Sequence, residues 1–295
     1  MTFVLVRKIL RDLRLGLFVT LTLVFLFQML WARVTARIVG HLIQQFGQLG
    51  FGIDQLKKIA FEGEGRVIET LIGGEGVSID KATDMMSVAL VHPMTQLILC
   101  IWAIGRASGA IAGEIDRGTM ELLLSQPIRR TQVILAHFLV DCIAIPLICV
   151  AMWSGIWFGT WLLGFQSAAN PKLFVDPYRF LLALPSVAGL LFAVGGLTMW
   201  VSAAGRSRTR VLGFAVLVIL LQFLINVIGQ MWPPMEAWRT WTIFRWYQPQ
   251  TIVLHADGLS NRETYLSWGV LFGVGLLGWT MATFRFRRRD LPAPL

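Results

Sequence analysis

The sequence predicts an all-α membrane protein with six transmembrane helices. The first reason is apolar length: six runs long enough to cross a bilayer are separated by polar segments. The second is composition. Only 15 % of the residues are charged and 56 % are hydrophobic, where a soluble chain carries about 25 % charged residues. Mean hydropathy is +0.66. The third is the sorting of charge between loops. Residues 1–14, 114–131, 204–210 and 285–295 carry 14 bases and 5 acids; residues 32–84, 166–179 and 233–264 carry 11 of each over about twice the length. The basic set is therefore expected to be cytoplasmic. Both termini are then expected inside, as an even span count requires; the expected location, a bacterial inner membrane, goes beyond what charge alone shows. The formal net charge of +9 reports this orientation rather than a nucleic-acid partner.

The elements follow in order, in one transmembrane domain over residues 1–295. Residues 1–14 alternate Phe3, Val6, Leu10 and Leu13 with Arg7, Arg11 and Arg14, which predicts an amphipathic helix on the membrane surface. Residues 15–31 form the first span. A cationic start before an apolar run also marks a signal peptide. This run is longer than an ordinary signal core, and Trp31 and Arg33 follow it, so it reads as a retained span. Residues 32–84 are the one long hydrophilic segment, rich in glycine, with partly apolar helices expected at 38–46 and 67–72 in a small outer cap. The second span covers 85–112, with Pro93 after His92 as its kink. Its stripe of Gly105, Gly109 and Gly113, with Ser108 and Ala112, offers close approach to another helix.

After a loop at 113–131, the third span covers 133–165. It contains Pro146 and a row of Trp153, Trp157 and Trp161 that reads as an interfacial anchor, or alternatively as a substrate-stacking wall. Residues 166–179 form an outer turn, 180–203 the fourth span, and 205–210 a basic turn. The fifth span, 211–232, is stopped by Pro233-Pro234. A tryptophan-rich segment, 233–264, is expected to lie in the interface, and the sixth span, 265–284, ends on Arg285 and Arg287 to Arg289. Cys100, Cys142 and Cys149 all fall in apolar spans and read as small core residues, with no disulfide framework.

The loop at 113–131 organises the chain. Gly118 breaks the incoming helix, and Thr119 is placed to cap a short helix over about 120–125 with Glu121 in its first turn. Pro127 ends that helix. Leu122, Leu123 and Leu124 spread apolar surface over some 200° of it, more than a membrane surface covers. Either another protein covers the remainder, or the helix packs on its own bundle. Two ionisable residues lie within spans and call for partners. Arg106 and Asp141 sit at similar depth on the two antiparallel legs beside this loop, which predicts an ion pair that His137 can join. Gln28, Gln222 and Asn226 are further polar groups within spans.

Glu114, Arg117-Gly118-Thr119, Glu121, Leu122 to Leu124, Ser125-Gln126-Pro127, and Arg130 after Arg129 resemble the intracellular signature of the ABC type-2 transporter permeases. The motif covers under a tenth of the chain, and the six-span layout extends the similarity to the whole length. The resemblance implies that this loop is a coupling helix touching separate ABC ATPase subunits. It also implies a second permease subunit, identical or paralogous, and usually export.

The chain has no Gly-x-x-x-x-Gly-Lys-[Ser/Thr] and no Gly-Lys dipeptide, so ATP and Mg belong to the partner and no cofactor is expected here. It also lacks His-Glu-x-x-His and a nucleophile elbow. Glu114, Asp116 and Glu121 read as a solvated or docking face, and His92 and His255 as hydrogen-bonded structural residues. Two further readings stay open. One is a subunit that transmits force to an envelope partner through residues 32–84; the other is an ATP-independent membrane scaffold.

Overall fold

The computed structural model describes residues 2–49, 81–255 and 262–289. Of the outer segment expected at 32–84, residues 50–80, including the helix expected at 67–72, lie outside the described residues. Among the described residues the protein is 86 % helical. Its elements are α1 (Thr2–Leu49), α2 (Ala82–Val91), α3 (Pro93–Ala110), α4 (Ala112–Asp116), α5 (Thr119–Leu124), α6 (Arg130–Leu162), α7 (Leu184–Ala204), α8 (Arg208–Met231), α9 (Glu236–Arg239), α10 (Pro249–Leu254) and α11 (Arg262–Arg287), with short 3₁₀ turns between several of them. Among the described residues, six stretches are long and apolar enough to cross a membrane, so this is an all-α, multi-pass membrane protein: Thr2–Gly40, Ala82–Ala110, Arg130–Leu162, Pro177–Ala204, Arg208–Met231 and Arg262–Arg287.

The first helix corrects the sequence reading. No break separates residues 1–14 from the first span; α1 runs 48 residues, about 72 Å at 1.5 Å per residue. It contains no proline, and a single glycine such as Gly16 costs a helix only about 1 kcal/mol. The amphipathic arm does not stand apart. Leu5 and Val6 are buried in the core near the short loop, called here the loop end. Further along, Thr20, Val24, Gln28, Ala32, Thr35 and Val39 are buried at spacings of three and four, one continuous face. That face lies on α6, where Gly155 and Gly159 admit it: a Cβ on Gly155 would fall 2.5 Å from the Phe25 carbonyl oxygen.

At Pro93 the second span does more than kink. His92 leaves helical geometry (φ −58°, ψ 136°), ends α2 and starts α3, and its Nδ1 accepts from the Met94 amide at 3.2 Å. The carbonyls freed by the break find side-chain donors, as a membrane interior requires. Thr95 Oγ1 donates to Ala89 at 2.7 Å, Gln96 Nε2 to Val91 at 2.5 Å and Tyr247 OH to Leu90 at 2.7 Å. Burial raises the pKa of Tyr247, so it stays a donor. The segment after α8 is packed inward at Ile243, Phe244, Tyr247, Ile252 and Val253, while Trp238 and Trp241 are exposed. Gln222 accepts from the Ile243 amide at 3.1 Å and Asn226 from Arg239 Nε at 2.9 Å, which ties this segment to α8.

Two other sequence expectations change. Gly105, Gly109 and Gly113 do not meet a helix backbone; the Arg208 side chain lies against Gly109 and Gly113. The close approaches are instead α1 on α6 and α7 on α11, where Gly196 faces the Gly275 backbone and Gly278 faces Gly196. Cys100 and Cys149 are core residues, but Cys142 is exposed. In the tryptophan row, Trp153 donates to the Pro177 carbonyl at 3.0 Å, whereas Trp157 and Trp161 are exposed and stack with centroids 6.4 Å apart.

Candidate functional site

The short loop between α3 and α6 is held from beneath. Met120 is buried with Ile111, Val133, Met199 and Phe286, and Leu123, Leu124, Ile115 and Ile128 pack against the same cluster. Leu122 is different: it is 70 % exposed. The three leucines therefore divide. Two seat α5 on its own bundle, and one faces outward beside exposed Glu121, Ser125, Gln126, Pro127 and Arg129. Packing on the chain's own bundle thus holds for Leu123 and Leu124, while Leu122 is left exposed.

Local chemistry explains the shape. Gly118 takes a left-handed conformation (φ 71°) that a side chain would oppose, and it occupies the cap position of α5. Thr119, expected as the cap, is the first helical residue instead. Its hydroxyl turns back to Glu114, meeting the carbonyl at 3.2 Å and also the carboxylate. Arg117 Nη2 donates to Glu114 Oε1 at 2.8 Å, so Glu114 holds both sides of the turn. Past Pro127, the Arg129 amide donates to Gln132 Oε1 at 2.9 Å and starts α6. Arg130 reaches across to the carbonyls of Phe286, at 3.3 Å, and Arg289.

Residues that sequence reasoning passes over fix the loop to the rest of the bundle. Ser202 Oγ accepts from the amides of Ile111 at 3.3 Å and Ala112 at 3.1 Å, and donates to the Ser108 carbonyl at 3.2 Å. It thereby satisfies the backbone where α3 passes into α4. Asp116 Oδ2 accepts from the Arg208 amide at 3.3 Å, linking the loop to the start of α8. The sequence signals here are Asp116, expected on a solvated or docking face, and the basic turn at 205–210, expected to set orientation; neither names the other as its partner.

The two legs beside the loop do not pack as a simple hairpin. α3 packs chiefly on α7, and α6 chiefly on α1. Between them, the guanidinium of Arg106 is ion-paired to Asp141, with both side chains buried. Arg106 Nη1 also donates to the His137 carbonyl at 3.4 Å, and the guanidinium lies 5.7 Å from the centroid of the Trp279 ring. His137 thus contributes its backbone, not its ring, to the arginine. This layer sits between the loop-end core, which includes Ala107, Val140 and Met199, and the opposite core, which includes Ile104, Ala144 and Val194.

The arrangement is a seated apolar knob at the loop end, joined through two legs to a buried charge bridge. It holds no constellation of nucleophile and base. A comparison with curated proteins gave no match. The model of the family described as ABC-2 family transporter protein matches residues 5–291, nearly the whole chain, and the protein belongs to that family.

Proposed function

We propose that the chain is the permease subunit of an ABC exporter, coupled to separate ATPase subunits through residues 113–130. The observation that carries this is Leu122: a large apolar side chain held out by a helix whose other leucines are seated. Burying it in a partner's groove is worth about 1.5–3 kcal/mol. Glu121 and Arg129 form a polar rim around that contact. ATP and Mg act in the partner, and this chain needs no cofactor. Displacement of α5 by ATPase closure passes into α3 and α6 and shifts their packing on α7 and α1. The charge asymmetry supports an inner-membrane orientation with both termini and α5 cytoplasmic.

A second permease subunit, identical or paralogous, is supported by the space between α3 and α8. An apolar groove of about 570 Å³ lies there, lined by Leu97, Ile101, Leu212, Val216 and Leu220. One observation favours a second reading, in which the subunit moves no substrate and pushes on an envelope partner through residues 32–84. It is the helical continuation of α1 to Leu49, well past a bilayer's width. Reconstitution in liposomes with an ABC ATPase that co-purifies with this chain separates the readings. Export predicts ATPase activity stimulated by a transported compound; force transmission predicts stimulation by the envelope partner without flux. ATPase activity indifferent to the permease would sink both.

A further inference from the structure

Arginines gather unevenly at the loop end, where α11 finishes beside the turn between α7 and α8. Arg289 Nη1 donates to the carbonyls of Ala203 at 2.9 Å and Gly205 at 2.8 Å. Arg130 Nη1 donates to the carbonyls of Phe286 and Arg289. Arg206 follows Gly205 directly, and Arg285 lies one turn before Arg289. Two guanidinium groups are thus fixed in place by backbone from separate segments. Among the described residues, none of these four arginines is ion-paired to a carboxylate.

Gathering like charge is unfavourable. The pKa of Arg289 is lowered, first by burial and then by Arg206 and Arg285. An anion would relieve that repulsion, and fixed donors lose little freedom on binding one.

One face of α11 leads straight to the cluster. Leu276, Leu277, Met281 and Phe284 are exposed at helical spacing, and the stripe continues into exposed Arg285 and Arg288. The Arg288 guanidinium lies 3.9 Å from the centroid of the Phe284 ring. An apolar strip ending in cations matches, in order, the acyl chain and phosphate of a phospholipid.

We propose that Arg206, Arg285, Arg288 and Arg289, with Arg130 behind them, bind the phosphate headgroup of an anionic phospholipid whose acyl chain lies along the exposed 276–284 face of α11. The shared chemistry is phosphate recognition, which free phosphate also satisfies. The continuous apolar strip selects the lipid, and it equally disfavours an acidic protein surface, which would not extend down the membrane face. Arg206, Arg285, Arg288 and Arg289 lie outside residues 113–130, so the test needs no ATPase partner.

The test uses the purified chain in nanodiscs of phosphatidylcholine, with and without phosphatidylglycerol, followed by thermal melting. Phosphatidylglycerol is expected to raise the melting temperature of the wild type. The R206Q/R285Q variant loses no hydrogen bond made by these side chains in the structure. It is expected to melt like wild type in phosphatidylcholine and to need about thirtyfold more phosphatidylglycerol for the same shift, the worth of two arginines near an anionic surface. R7Q/K8Q removes the same charge from exposed residues at the same end and is expected to keep the shift. R288Q, whose side chain lies over the exposed Phe284 ring, gives the same reading without touching the core. The proposal is overturned if R7Q/K8Q loses as much as R206Q/R285Q, or if R206Q/R285Q or R288Q leaves the shift unaltered. It also falls if inorganic phosphate alone reproduces the shift in phosphatidylcholine, or if the arginine variants shed the ATPase while keeping the lipid response.

Discussion

A guanidinium inside a membrane bundle persists only where its charge is answered, and Arg106 has three answers: the Asp141 carboxylate, the His137 carbonyl at 3.4 Å and the Trp279 ring. The pair is therefore costly to halve. Arg106→Ala and Asp141→Ala are each expected to destabilise the protein by about 3–5 kcal/mol, because each strands one buried charge. The double variant strands none and is expected to lose less than the sum of the two. Thermal melting of the four proteins closes the cycle; additive losses would show that the residues act independently. This pair was legible in the sequence because two charges stood alone in apolar runs at matched distances from the loop. Ser202 was not, since a serine in a span carries no sign of which backbone it will serve. Nor could the sequence show that Cys142, unlike Cys100 and Cys149, turns outward, because all three sit in equally apolar surroundings.

At the scale of elements, α5 combines two jobs in six residues. Leu123 and Leu124 hold it to the loop-end core, and Leu122 projects from it. The two kinds of leucine should fail differently. Leu122→Asp is expected to insert, purify and melt like the wild type while losing the co-purifying ATPase, since it places an unpaired carboxylate in the partner's groove at a cost of several kcal/mol. Leu123→Asp puts the same charge against its own core and is expected to melt early whether or not the partner is present. Equal ATPase retention by Leu122→Asp and wild type would remove α5 from the contact. The position of this element was readable because Gly118 and Pro127 act through backbone geometry, which is local. Which leucine points out was not, because that depends on how α5 is rotated over Met120. The same distinction explains the glycines. Gly105, Gly109 and Gly113 have the spacing of a helix contact, yet Gly109 and Gly113 accommodate the long side chain of Arg208, while Gly155 and Gly159 meet α1. Small residues announce that something comes close, and tertiary packing decides what.

For the whole molecule, the direction of insertion decides whether α5 meets a compartment containing ATP. Charge asymmetry sets that direction, and α8 offers a direct test of it. This helix runs 24 residues, about 36 Å, enough to cross the hydrocarbon core with little to spare. Thr209 lies at its start, exposed beside the basic turn, and Trp241 lies beyond its end, 86 % exposed. The two positions therefore fall on opposite sides of a membrane crossed once by α8. In a background with Cys100, Cys142 and Cys149 replaced by alanine, Trp241→Cys is expected to react with an impermeant maleimide on intact cells. Thr209→Cys is expected to react only after the membrane is opened. The wild-type side chains at both sites are on the surface, so neither substitution need disturb the core, and labelling reports side alone. Labelling of both residues in intact cells would mean that α8 does not span. The reversed pattern would place α5 away from ATP, and no ATPase of that compartment could then reach Leu122.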